Sequence, residues 1–284
     1  MDSQARPYRS VLYIPGSKDR ALDKARSLPA DAIIFDLEDA VAPEEKPAAR
    51  ALLAATLDSA DYGRRARIVR INGLDTPWGV DDLAAFAGQA IEAILVPKVN
   101  SAADLEAVAR LIPDVPLWAM METARGMLSA ADIAAHPRLA GMVMGTNDLA
   151  RELGSRHRPD RLAMLPGLGL CLLAARAEGL VIVDGVYNAF KDDAGLRAEC
   201  DQGRDMGFDG KTLIHPAQLD IANAAFAPSE AELDLARRQI DAFDQASAAG
   251  QGVAVVDGKI VENLHIVTAR ATLAKAAMIA EMAG

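Results

Sequence analysis

The run Pro116-Leu117-Trp118-Ala119-Met120-Met121 ends in Glu122, and the run Gly141-Met142-Val143-Met144-Gly145 ends in Thr146-Asn147-Asp148. Each is a short apolar segment followed by turn and helix signals, the pattern of a strand buried on both faces. A buried strand that finishes in a carboxylate needs a reason. An ionised acid at the edge of a dry core is costly unless it is paired, hydrogen-bonded or bound to a metal. Two such acids at equivalent strand ends suggest one shared partner. With few competing His or Cys ligands, a hard, oxygen-seeking Mg²⁺ is the natural candidate.

The same alternation of apolar run and helical segment extends in both directions from this stretch. Upstream lie Ser10-Val11-Leu12-Tyr13-Ile14, Ala32-Ile33-Ile34-Phe35, Ala66-Arg67-Ile68-Val69 and Ala93-Ile94-Leu95-Val96. Downstream lie Val181-Ile182-Val183 and Thr212-Leu213-Ile214. Helical patterns intervene; the first covers residues 17–28, with Ser17 as its expected N-cap. Eight strand signals, each trailed by a helix, predict a (β/α)₈ TIM barrel, with a doubly wound open sheet as the competing arrangement. In a barrel every C-terminal strand end faces one rim. That rim would gather Asp36, Glu38, Asp39, Arg70, Lys98, Glu122, Asp148 and Asp184 around a single mouth.

Residues 1–227 account for the barrel, and residues 228–284 exceed what it requires. The tail reads as a helical region over 228–249, a hairpin over 253–261 turning on Asp257-Gly258, and a last helix over 264–282. It is expected to act as a lid or to pack on a neighbouring subunit.

The composition fits an enzyme of this kind. The 284 residues are 51% hydrophobic and 25% charged, with only 4% aromatic, so the core is built from aliphatic side chains and Met. A net charge of −10 argues against a general polyanion binder, and no nucleic-acid partner is expected. Cys171 and Cys200 lack metal-ligand spacing and read as reduced structural thiols. The polar stretch from Met1 to Arg9 lacks a signal-peptide core, and no segment approaches a membrane span, so a cytoplasmic protein with no membrane partner is expected.

Each candidate residue also has a plain structural role. Asp148 can cap the helix holding Ala150 to Leu153, and acids are favoured at helix N-termini generally. Arg70 can form a bidentate contact with a substrate carboxylate or enolate oxygen, or an ion pair with the acids of Asp36-Leu37-Glu38-Asp39. Lys98 can neutralise a nearby acid or touch a ligand phosphate. Met120-Met121 and Met142/Met144 read as core filling. Other motifs fail: Asp209-Gly210-Lys211-Thr212 has Asp205 where a phosphate-binding loop needs glycine, Gly167-Leu168-Gly169 lacks the third glycine of a dinucleotide fingerprint, and the four His form no HExxH pattern.

The ordered motifs resemble one family over nearly the whole chain. They are Val11-Leu12-Tyr13-Ile14-Pro15-Gly16-Ser17, Phe35-Asp36-Leu37-Glu38-Asp39-Ala40-Val41, Val69-Arg70-Ile71-Asn72, Val96-Pro97-Lys98, Met121-Glu122-Thr123, Gly145-Thr146-Asn147-Asp148, Asp184-Gly185-Val186-Tyr187 and Gly207-Phe208-Asp209-Gly210-Lys211. The set resembles the citrate lyase β subunit-like branch of the HpcH/HpaI aldolase/citrate lyase superfamily, relatives of malyl-CoA, citramalyl-CoA and citryl-CoA lyases. The resemblance implies a TIM barrel of the phosphoenolpyruvate/pyruvate-binding type, a homotrimer or hexamer, and Mg²⁺ on Glu122 and Asp148. It implies substrate contact for Arg70 and Glu122, with Glu38 and Asp39 behind the reacting groups; Lys98 is expected beside those acids from its own position at a strand end. It also implies that a C-terminal Asp reaches a neighbour's site as acid/base. Where the family pattern reads Met-Ile-Asp-x-Pro, this chain reads Ile260-Val261-Glu262-Asn263-Leu264, so Glu262 carries that carboxylate on a longer arm.

The expected activity is a Mg²⁺-dependent, reversible carbon–carbon cleavage of a 3-hydroxy-3-carboxyacyl-CoA thioester, giving a 2-oxo acid and an acyl-CoA. Arg70, Glu122, Asp148 and Glu262 are its expected catalytic residues. Arg70→Ala is expected to abolish turnover with little effect on folding. A citrate lyase β subunit acting on a carrier-bound citryl thioester and a catalytically idle CoA-thioester binder are the alternatives. A thioesterase outcome needs only a well-placed water.

Overall fold

The strands β1 (Ser10–Pro15), β2 (Ala32–Asp36), β3 (Ala66–Arg70), β4 (Ala93–Val96), β5 (Leu117–Met121), β6 (Leu139–Met144), β7 (Val181–Asp184) and β8 (Gly210–Leu213) pair in chain order, and the ring closes where β8 meets β1. All the pairings are parallel. The open-sheet alternative is thereby excluded, and the architecture is a (β/α)₈ barrel with helices between the strands. The computed structural model describes residues 6–283. These form two compact units: Tyr8–Phe226, and a second from Ala227 onward that includes the residues before Tyr8.

The barrel has two apolar layers because successive strand residues point to opposite faces. Ile33, Phe35, Val69, Ile94, Ala119, Met121 and Met142 face outward into the large cluster shared with the helices. Val11, Ala32, Ile34, Ile68, Leu95, Trp118, Met120, Val143 and Val183 fill the interior. Gly141 makes room for the largest of these: a Cβ there would lie 2.4 Å from the Trp118 ring. The inward set predicts what emerges at the top of the barrel. Two residues beyond Val11, Ile34, Ile68 and Met120 come Tyr13, Asp36, Arg70 and Glu122.

The cap of the first helix differs from expectation. The first helix is Asp19–Ala25, its N-cap is Lys18, and the Ser17 hydroxyl is buried without a hydrogen-bond partner. Pro15 extends β1 to the foot of the helix, and the Gly16 N–H donates to Asp36 O, so the chain turns later than the Ser17 signal implied.

The second unit holds the helix Glu230–Ala248, strands β9 (Ala254–Val256) and β10 (Lys259–Val261), and the helix Asn263–Ala283. Asp257 and Gly258 both have positive φ, 50° and 74°, the tight-turn geometry that Asp-Gly favours. Ala254, Val256, Val261 and Ile266 pack with Ile240, Phe243 and Ala246. Val255, Ile260, Leu264 and Val267 are exposed. Among the described residues no helix is long and apolar enough to cross a membrane.

Candidate active site

A cavity of about 300 Å³ opens at the C-terminal ends of the strands, lined by Tyr13, Asp36, Asp39, Arg70, Met120, Glu122, Met144, Thr146, Asn147, Asp148 and neighbours. The acids at 122 and 148 therefore meet one space, as their strand-end positions require. The cysteines lie outside the cavity lining: Cys171 and Cys200 are buried free thiols, and Cys171 Sγ donates to Met127 Sδ at 3.3 Å. Met121 and Met142 are core, whereas Met120 and Met144 reach the cavity.

Arg70 is fixed before any ligand arrives. Its Nε and Nη2 donate to Asp36 Oδ1 and Oδ2 at 2.7 and 2.6 Å, and Nη1 lies 2.8 Å from Glu38 Oε2. The Tyr13 ring lies beneath the guanidinium, 5.1 Å from its carbon. Both readings of Arg70 are thus joined. Its forked edge is spent on Asp36, and only the outer hydrogens of Nη1 and Nη2 can address a ligand. Asp36 is held in turn by the N–H groups of Glu38 and Ala40. Asp39 is 3.6 Å from Arg70 and mostly exposed.

Glu122 is almost fully buried at the floor of the cavity. Its Oε1 accepts the Lys98 backbone N–H at 2.8 Å, and its Oε2 has no hydrogen-bond partner. Burial, with the negative charge of Glu38 adding to it, pushes the carboxyl up to about 7. Gly145 makes the site possible, since a Cβ there would sit 2.3 Å from Glu122 Cβ and 2.7 Å from Oε2. Glu38 is likewise raised by burial, against the pull of Arg70 and Lys98. The Lys98 ammonium pairs with Glu38 Oε1. Lys98 and Glu38 line a second cavity beside the first rather than the first itself.

Asp148 is not an N-cap. The helix begins at Thr146 with Gly145 as N-cap, and Asp148 sits in its first turn, 2.5 Å from Arg151 Nη2. Arg151 is 76% exposed, so this ion pair is weak enough for another cation to displace. Among the described residues no three His, Cys, Asp or Glu cluster as ligands. Two carboxylates, one with an orphaned buried oxygen, form an all-oxygen donor set that fits a hard divalent ion retaining positions for water and substrate.

Two sequence expectations are placed elsewhere. Asp184 is fully buried away from the cavity, where Arg161 Nη1 donates to both its oxygens at 2.8 and 2.7 Å and Lys211 Nζ donates at 3.1 Å. Its place at a strand end suggested the mouth, but the last residue of β7 turns toward these two cations. Glu262 belongs to the second unit, exposed at the start of the last helix, its N–H donating to His265 Nδ1. Tyr13 was missed altogether; the signal was the period of two from Val11, which puts it on the inward face.

The HpcH/HpaI aldolase/citrate lyase family model matches residues 9–216. A (3S)-malyl-CoA thioesterase from Cereibacter sphaeroides is 76% identical over 280 residues, covering 99% of this chain and 98% of that protein. An L-malyl-CoA/beta-methylmalyl-CoA lyase from the same species is 36% identical over 97% of this chain and 96% of its own length. Among solved structures, CitE from Mycobacterium tuberculosis in complex with magnesium, acetoacetate and coenzyme A superposes with a TM-score of 0.82 at 34% identity, over 96% of this chain and 99% of that one.

Proposed function

Because the chain belongs to the HpcH/HpaI aldolase/citrate lyase family, we propose that it is a Mg²⁺-dependent enzyme of 3-hydroxy-3-carboxyacyl-CoA thioesters that hydrolyses the thioester of a malyl-CoA. The observation that carries this reading is full-length likeness to a malyl-CoA thioesterase at 76% identity, about twice that shared with the lyase. The sequence expectation of carbon–carbon cleavage becomes the second reading, supported by the 36% likeness to that lyase.

Glu122 and Asp148 are the proposed holders of Mg²⁺. When bound, the ion supplies positive charge to the hydroxy-acid end of the substrate. Arg70, locked by Asp36, presents its outer N–H groups to the same end at no cost of reorganisation. Lys98 orients Glu122 from behind and keeps Glu38 paired. Met120, Met144 and Val186 give the cavity apolar walls that exclude loose water.

Glu262 is the proposed general base, supplied by a neighbouring subunit of a homotrimer or hexamer. The exposed apolar side chains around it, Ile260, Leu264 and Val267, support a surface that is covered in an assembly. Its carboxylate takes a proton from water as the oxygen attacks the thioester carbonyl; the carbon–sulfur bond breaks, and the same proton passes from Glu262 to the sulfur so that CoA leaves as the thiol. The extra methylene relative to the family Asp changes the reach of the carboxylate, which is the feature proposed to separate attack by water from protonation of the acyl carbon in cleavage.

The test is purified protein with (3S)-malyl-CoA, with Mg²⁺ or with chelator, following free thiol and identifying products. Malate and CoA released only with Mg²⁺ support hydrolysis. Glyoxylate and acetyl-CoA would establish the lyase instead. Turnover of carrier-bound thioester alone would point to the citrate lyase β role, and binding without turnover to an idle binder.

A further inference from the structure

The Tyr13 hydroxyl faces the mouth with a weak partner. Its hydrogen-bond partner is the Met120 thioether sulfur at 3.5 Å, a weak acceptor. A phenol has one hydrogen to donate and lone pairs to accept with, so most of its capacity is unspent. Leaving a partly buried hydroxyl in that state costs stability unless a ligand completes it. The group is also held in place: β1 directs it inward, Arg70 lies over the ring at 5.1 Å, and Met120 packs beside it. Burial, reinforced by Asp36, Glu122 and Glu38, raises the phenol well above its ordinary value, outweighing Arg70. As a phenol it can both donate and accept a hydrogen bond.

Apart from Glu122 Oε2, which the proposed Mg²⁺ would complete, several polar groups of the lining are paired within the protein. Arg70 is spent largely on Asp36 and Glu38. Asn147 and Asn188 bond each other through their side-chain amides at 3.2 and 2.8 Å.

We propose that Tyr13 is a specificity-determining residue whose hydroxyl binds the hydroxyl group of a 2-hydroxy acid end, so that the site accepts hydroxyacyl thioesters and rejects their deoxy counterparts. The inference rests on the malyl-type reading above and names how that reading is enforced. A site built to bond a substrate hydroxyl discriminates strongly against an analogue without it, because its own polar group is then left unpaired.

The experiment compares wild type, Tyr13→Phe and Met120→Leu in two assays. The first is calorimetric binding of (S)-malate and of succinate with Mg²⁺ present; the second is kcat and KM for (3S)-malyl-CoA and succinyl-CoA. Wild type is expected to bind malate better than succinate. Tyr13→Phe is expected to cut that preference about 10-fold or more, mostly through malate, and to leave succinate affinity unchanged. Met120→Leu keeps the hydroxyl and removes its sulfur partner, so the preference is retained or grows. An unchanged malate-to-succinate ratio in Tyr13→Phe, an equal loss in both variants, or no binding of malate by wild type overturns the proposal. Should wild type bind malate preferentially and yet hydrolyse neither thioester, the hydrolase reading falls and the role of Tyr13 stands.

Discussion

Lys98 donates its backbone N–H to Glu122 Oε1 at 2.8 Å from a left-handed conformation, φ 49°, that a lysine rarely adopts. The strain has a visible return. The same residue reaches back with its ammonium to Glu38, so one strained position orients the buried carboxylate of the mouth and balances the acid behind it. Lys98→Gly relieves the strain and keeps the N–H; its Mg²⁺ affinity by calorimetry is expected to stay within a few-fold of wild type. Lys98→Val adds a β-branched side chain at positive φ. It is expected to lose about 1–3 kcal/mol of stability and to bind Mg²⁺ more weakly.

Burial revises the expected effect of removing Arg70. Arg70 is 6% and Asp36 1% exposed, so Arg70→Ala leaves a buried carboxylate without its cation. The variant is expected to lose about 3–5 kcal/mol as well as turnover. Arg70→Met combined with Asp36→Asn removes both charges and should recover much of the melting temperature without recovering activity. Recovery of activity in the double variant would remove Arg70 from the reaction.

Glu122 makes the metal-free protein sensitive to pH in a defined direction. Its carboxyl is raised from 4.5 to about 7 in the folded state, so between those values the folded form holds a proton that the unfolded chain has released. That contribution to stability is fully present below 4.5 and is lost as pH rises to about 7. Glu38, raised in the same direction, adds to the slope. Thermal melts in chelator should show this fall, and Glu122→Gln should flatten it. Excess Mg²⁺ should stabilise more at pH 7 than at pH 5, because the ion competes with that proton.

The Asp184 cluster should behave in the opposite sense. Burial alone would raise this carboxyl, but Lys211 and Arg161 together hold it below its ordinary value. Its contribution is therefore present above the unfolded carboxylate range and is lost on acidification. Asp184→Asn leaves Arg161 and Lys211 buried beside a neutral amide. A loss of about 3–5 kcal/mol is expected in chemical denaturation, with KM unchanged for enzyme that remains folded. A raised KM at full stability would mean that the residue contacts substrate after all.

Glu262 divides the two proposed reactions. Glu262→Gln is expected to lower kcat by about 10²–10⁴-fold with little change in KM, the signature of a lost general base. Glu262→Asp shortens the arm by one methylene and is expected to raise the share of glyoxylate and acetyl-CoA among the products. An unchanged kcat in Glu262→Gln would exclude this carboxylate from the chemistry.

The strand signals and the meeting of Glu122 with Asp148 were legible in the chain because they depend on local pattern: short apolar runs, their spacing, and a polar residue at each end. The Asp257-Gly258 turn was legible for the same reason, since two consecutive positive φ angles are a property of those residues. The Ser17 cap failed because β1 continues through Pro15 and displaces the helix start. Asp184 failed because a strand end has two faces, and the cations that claim it, Arg161 and Lys211, come from remote parts of the sequence.

By itself, then, the sequence determined eight buried strands separated by helices, acids at the ends of the fifth and sixth, and a separate tail carrying Glu262. Only the tertiary structure decided that Arg70 gives its forked edge to Asp36, that Lys98 bends into a strained turn to hold Glu122, and that Tyr13 stands inside the mouth with its hydroxyl on the Met120 sulfur. Those facts follow from closing the barrel. Closure fixes which of the two faces of every strand looks inward, and it brings into contact side chains whose separation along the chain no local pattern can measure.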